Sequence, residues 1–192
     1  MEFTNFTTKT FNSKDYELNN FAQKLFNKAF ENSFLQPKDF DFEDYGIDTN
    51  LSYGGKVIFE IELEVNKLWN NLKYPILKDK FGKRLNALFL IKVSKYIKYR
   101  RCRNSKLVRF SLDGKYCAIV SFKKFDYEYK NNSMYAVRTN NRNDEILNLG
   151  INWWNVHFIE TANLATYFER ICKKQPIDDL LLDQTNLSQH LA

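Results

Sequence analysis

The sequence predicts a single α/β domain, a mixed central β-sheet flanked by helices, and three observations point to it. Apolar residues recur at helical spacing towards both ends of the chain. They alternate with period two in the middle, and no repeat or low-complexity linker divides the 192 residues. That length suffices for one core, and an aromatic share of 16% fills it with bulky side chains. The expected organisation is an N-terminal arm over 1–12, a core over 13–160, and a C-terminal helix with an acidic tail over 161–192.

After the arm, Asn12 and Ser13 are cap candidates for a helix whose apolar positions are Phe21, Leu25, Phe26 and Ala29. Pro37 and the acidic "KDFDFEDYG" are expected to end it. A hairpin follows at Gly54-Gly55, then a lysine-rich loop and helical passage, "NKLWNNLKYPILKDKFGKRL". "LNALFLIKVS" reads as a buried strand, and "KLVRFSLDGKYCAIVSF" as two strands joined at Asp113-Gly114. "WWNVHFIE" reads as a further strand, with Trp153 and Trp154 as packing residues. "NLATYFERICKK" returns to helical spacing with basic residues in its last turn.

The 29 basic against 23 acidic side chains give a net charge of +6, which suits a polyanionic partner. Cys102, Cys117 and Cys172 are odd in number and lack a CxxC spacing, so the reading is a reducing cytoplasm without disulfides or a zinc knuckle. No stretch reads as a membrane span or targeting signal. With two histidines, His157 and His190, a Ser-His-Asp triad has little material, and His157 in "VHFIE" reads as a packed strand residue.

The stretch "YGIDTNLSYGGKVIFEIELEVNK" puts Glu60, Glu62 and Glu64 on one face of a strand and Phe59, Ile61 and Leu63 on the other. Like charges two apart share a face at about 7 Å and repel unless a positive charge lies between them. A two-residue loop at Gly54-Gly55 would set Leu51 opposite Ile58 and Ile47 opposite Glu62, mixing apolar and charged partners. A three-residue loop, Gly54 to Lys56, sets Tyr53 against Val57, Leu51 against Phe59 and Ile47 against Leu63, and brings Asp48 opposite Glu62. A loop of Tyr53 to Gly55 would instead set Glu60 against Asp48. The competing reading of the glutamates is a solvated edge strand that discourages aggregation.

An aspartate, a hairpin and then "ELE" resemble the PD-(D/E)xK nucleases with the restriction-endonuclease-like core, and "YGID" with "EIELEV" looks like their phage and mobile-element members. The resemblance implies a Mg²⁺-dependent deoxyribonuclease, with Mn²⁺ as a substitute ion. Asp48, Glu62 and Glu64 would then be the catalytic residues and metal ligands, with Glu60 as the alternative ligand. The chain departs from the pattern by lacking Glu-x-Lys: Glu64 or Asn66 stands where the lysine belongs. Lys67 is a substitute cation, although alternation sends it to the apolar side.

"IKVSKYIKYRRCRNSKLVR" is the densest basic stretch. Lys95, Lys98, Arg100, Arg101 and Arg103, interleaved with Tyr96 and Tyr99, suit phosphate contacts plus stacking on nucleic acid. Lys78, Lys80, Lys83 and Arg84 form a second basic cluster after the hairpin. The partner expected is nucleic acid, DNA first, with a homodimer where both strands are cut. Two other readings stand beside the enzyme: a non-catalytic nucleic-acid-binding protein, and a protein-interaction factor using the acidic tail around Asp178, Asp179 and Asp183.

Overall fold

The computed structural model describes residues 13–39, 48–67, 69–70, 88–99, 102, 104–130, 135–141, 144–152 and 155–183. The expected arm, the cluster Lys78, Lys80, Lys83 and Arg84, the residues Arg100, Arg101, Arg103, Trp153 and Trp154, and His190 lie outside them. The fold is mixed α/β. One sheet has the strand order β1-β2-β3-β5-β6-β9 and a smaller one β4-β8-β7.

Helix α1 (Ser13–Ala29) buries Ala22 and Phe26, at the spacing that the sequence predicts. It stops well before Pro37, which sits instead in a short strand, β1 (Gln36–Asp39). That strand is the sheet's edge, a position where proline's missing N–H breaks no interior ladder. β1 pairs antiparallel with β2 (Thr49–Tyr53), which turns into β3 (Lys56–Asn66).

The turn corrects the sequence reading. Tyr53 pairs with Lys56, so the loop has two residues, Gly54 and Gly55. Their φ values of 55° and 77° suit the tight hairpin turn that glycine favours. A β-bulge between Leu51 and Ser52 then absorbs one extra residue of β3, and beyond it Leu51 faces Phe59 and Thr49 faces Ile61. The inner register is the one that burial demanded, reached through a bulge instead of a longer loop.

β4 (Leu88–Lys92) leads directly into α2 (Val93–Tyr99). β5 (Ser105–Ser111) runs parallel to β3, and the remaining ladders of the large sheet are antiparallel. β5 and β6 (Tyr116–Ser121) form the hairpin expected at Asp113-Gly114, with Gly114 at φ 70°. α3 (Phe122–Lys130), β7 (Tyr135–Asn141) and β8 (Asp144–Asn152) follow. β9 (His157–Glu160) and α4 (Leu164–Cys172) match the predicted strand and helix.

The large sheet has an apolar cluster on each face. Against one pack α1 and α4, with Phe26, Phe30 and Phe168 meeting Phe59, Ile61 and Leu63. The other holds Trp69, Phe89, Tyr96, Tyr99, Leu107, Phe122 and Phe125. Each fully buried aromatic or aliphatic side chain contributes about 1.5–3 kcal/mol relative to exposure. The tail is strapped down by Leu182 N–H donating to Phe158 O at 2.8 Å and by an ion pair between Arg170 and Asp179. None of the helices among the described residues is long and apolar enough to cross a membrane.

Candidate active site

β3 is an interior strand between β2 and β5, which removes the solvated-edge reading of its glutamates. Alternation sends Phe59, Ile61 and Leu63 to the α1 side and turns Glu60, Glu62 and Glu64 to the side covered by β4 and α2. Glu62 is only 5% exposed. Burying carboxylates this deeply requires cations; three neighbouring segments meet the glutamates here, and two of them supply positive charge.

The first is Asp48, just before β2. Its Oδ2 accepts a hydrogen bond from Leu63 N–H at 2.6 Å, which holds the carboxyl beside Glu62. The second is α2, whose Lys95 lies with Nζ 2.5 Å from Glu62 Oε1 and 2.5 Å from Glu64 Oε1. The third is β5. Its parallel register sets Arg109 beside Glu64, and Arg109 Nε and Nη2 each lie 2.8 Å from Glu64 Oε2. Arg109 also donates to Leu90 O at 2.8 Å and stacks its guanidinium 4.1 Å from the Phe89 ring centroid.

Negative and positive charges therefore alternate along Glu62, Lys95, Glu64 and Arg109. The electrostatics follow this order. Burial alone would raise the Glu64 pKa, but Arg109 and then Lys95 outweigh it and hold it at about 2. For Lys95, burial is likewise overcome, by Glu64 and then Glu62, so the ammonium stays charged. Asp48 is left outside the neutralised run. As a residue it lies at the surface, yet its carboxyl is turned inward; this crowding first, and Glu62 second, raise its pKa to about 7. The Tyr99 phenol, also pushed up by burial and then by Glu62, stays protonated.

Glu62 Oε2 is buried and has no hydrogen-bond partner among the described residues. Two acceptor carboxylates side by side, one raised in pKa and the other with an orphaned oxygen, want a shared proton or a cation between them. A divalent ion with one or two carboxylates and several waters fits that seat. The expected set of three ligands does not converge: among the described residues no group of three or more His, Cys, Asp or Glu side chains is arranged to hold a metal. Glu64 uses both oxygens on Lys95 and Arg109, leaving Asp48 and Glu62.

The alternative ligand Glu60 pairs across from Asn50, not Asp48, and its Oε2 is buried without a hydrogen-bond partner among the described residues. Lys67 is exposed beyond the end of β3. The nucleic-acid residues of the basic stretch divide. Lys98 is exposed, whereas Lys95 belongs to the acidic cluster. Tyr96 and Tyr99, at 4% and 2% exposure, pack in the core and offer no stacking surface. No family model, no curated protein and no solved structure matches the chain.

Proposed function

We propose that the chain is a metal-dependent endodeoxyribonuclease built on a restriction-endonuclease-like core, with Asp48 and Glu62 as the ligands of Mg²⁺ or Mn²⁺. The observation that carries the reading is the orphaned Glu62 Oε2 beside the raised carboxyl of Asp48, a seat that a divalent cation completes. A bound ion would there stabilise charge on the attacking and leaving oxygens of an in-line displacement at phosphorus.

The chain's own residues do the rest. Asp48 and Glu62 hold their carboxylates together through the Leu63 N–H and Lys95. Lys95 gives two N–H donors to Glu62 and Glu64 and can direct its third towards a water or a phosphoryl oxygen. In this reading it supplies the cation that Glu-x-Lys supplies on the strand itself. Glu64, clamped by Arg109, positions Lys95 instead of ligating the ion. DNA is the first partner, and a homodimer is the arrangement for cutting both strands.

A second reading is favoured by the same charge run: Glu62, Lys95, Glu64 and Arg109 neutralise one another without any ion, as in a nucleic-acid-binding protein that has the core but not the catalysis. Incubation of the protein with supercoiled, linear and single-stranded DNA in Mg²⁺, Mn²⁺ or EDTA separates the two. Cleavage that requires the metal and is lost in Asp48→Asn supports the enzyme. Salt-dependent binding without cleavage in any metal supports the second reading.

A further inference from the structure

A cavity of about 230 Å³ opens where β5, β6 and β9 meet α3 and α4, lined by Lys106, Ser121, Lys124, Asn155, His157 and Tyr167 together with Ile119. It is separate from the acidic site. Lys106 pairs with Ile61, one step from the Glu62–Leu107 pair, so alternation carries it to the face opposite Glu62. Every polar side chain of the lining can donate a hydrogen bond, and none is a carboxylate.

Lys106 is half-buried, and its ammonium makes no ion pair or hydrogen bond with another described residue. Burial first, and the nearby Lys123 second, lower its pKa. A half-buried ammonium with no counter-charge in contact among the described residues, next to further lysines, is an arrangement that an anion relieves. His157 Nδ1 and the Tyr167 hydroxyl lie 2.7 Å apart. Whichever atom holds the proton between them, one donor remains: the imidazole Nε2–H in one tautomer, the Tyr167 O–H in the other. Two ammonium groups, that spare donor and the Ser121 hydroxyl match a tetrahedral oxyanion, whose oxygens each accept more than one hydrogen bond.

We propose that this cavity binds the phosphate group of a small ligand. The site is independent of the nuclease reading, since it shares no residue with the acidic cluster. It is tested by titrating the full chain with inorganic phosphate and, separately, with glycerol phosphate, following the ring resonances of His157, with chloride at matched ionic strength as the reference. His190→Gln assigns the signal, because the chain has two histidines.

Saturable shifts with phosphate but not chloride, weakened about tenfold or more in Lys106→Gln and in Lys124→Gln, are expected. Tighter binding of glycerol phosphate than of inorganic phosphate identifies an esterified ligand; the reverse identifies the free oxyanion. Lys124 lies on α3, outside the sheet, so that variant keeps the test open if Lys106→Gln fails to fold. Shifts no different from those with chloride, or equal affinity in the folded variants, overturn the site. Variants that lose DNA binding while wild type ignores both phosphates overturn it too, and assign these lysines to a nucleic-acid surface.

Discussion

Arg109 and Glu64 are register partners in the parallel ladder of β5 and β3, and two N–H groups of the guanidinium converge on a single carboxylate oxygen at 2.8 Å. Both side chains are largely buried, so the pair is shielded from the screening that makes surface ion pairs weak. With Lys95 on the other oxygen, Glu64 is a carboxylate fixed in its charged form.

Acid stability should depend on it. A pKa lowered from 4.5 to about 2 means that the unfolded chain takes up the proton before the native one does. The contribution is complete above 4.5 and is lost as the pH falls through about 2, and it amounts to about 3 kcal/mol. Urea midpoints of Glu64→Gln are therefore expected to lie below wild type at neutral pH and to fall less steeply through that window. Parallel curves for the two proteins would refute the assignment.

Asp48 has the opposite sign. Its native carboxyl keeps the proton up to about 7, whereas the unfolded chain releases it near 3.8, so its contribution is present below 3.8 and is lost as the pH rises through 7. Asp48→Asn cannot ionise and is expected to be relatively more stable above pH 7. Mg²⁺ should raise the melting temperature of wild type there and leave the variant unchanged. A metal-independent wild type would remove the ligand role of Asp48.

Lys95→Met leaves Glu62 and Glu64 facing each other with nothing between. Removing one partner of a buried pair strands the other charge, so a loss of about 3 kcal/mol in chemical denaturation is expected. If the variant is destabilised by less than about 0.5 kcal/mol, the ammonium is not what holds the glutamates together.

Tyr96 packs against Phe125 with ring centroids 6.3 Å apart. Tyr96→Ala should cost about 3 kcal/mol of stability, as deletion of a core aromatic does. A fully stable variant with weakened DNA binding would instead return this ring to the nucleic-acid surface.

Much of this was legible in the sequence. Period-two alternation identified the face carrying Glu60, Glu62 and Glu64, and burial of Leu51 and Phe59 dictated that the two face each other. The route was not legible, because a bulge and a longer loop give the same inner pairing and differ only in backbone geometry. Pro37 read as a helix stop because proline breaks interior structure, yet an edge strand accommodates it. Lys95 and Arg109 read as surface cations for a longer-range reason. The burial of Arg109 depends on a parallel pairing between segments more than forty residues apart, and that of Lys95 on the placing of α2 beside Glu62, 33 residues away in sequence; no local pattern announces either.

That parallel pairing also sets the order of events during synthesis. An emerging chain has the acidic hairpin early, but the strand that carries Arg109 and fixes Glu64 arrives only after the whole crossover has been made. Until then Glu62 and Glu64 have no folded scaffold to hold them opposite their cations. The charge run at this centre is therefore completed only once more than half of the 192 residues have been made, and truncated products ending before Ser105 are expected to lack it.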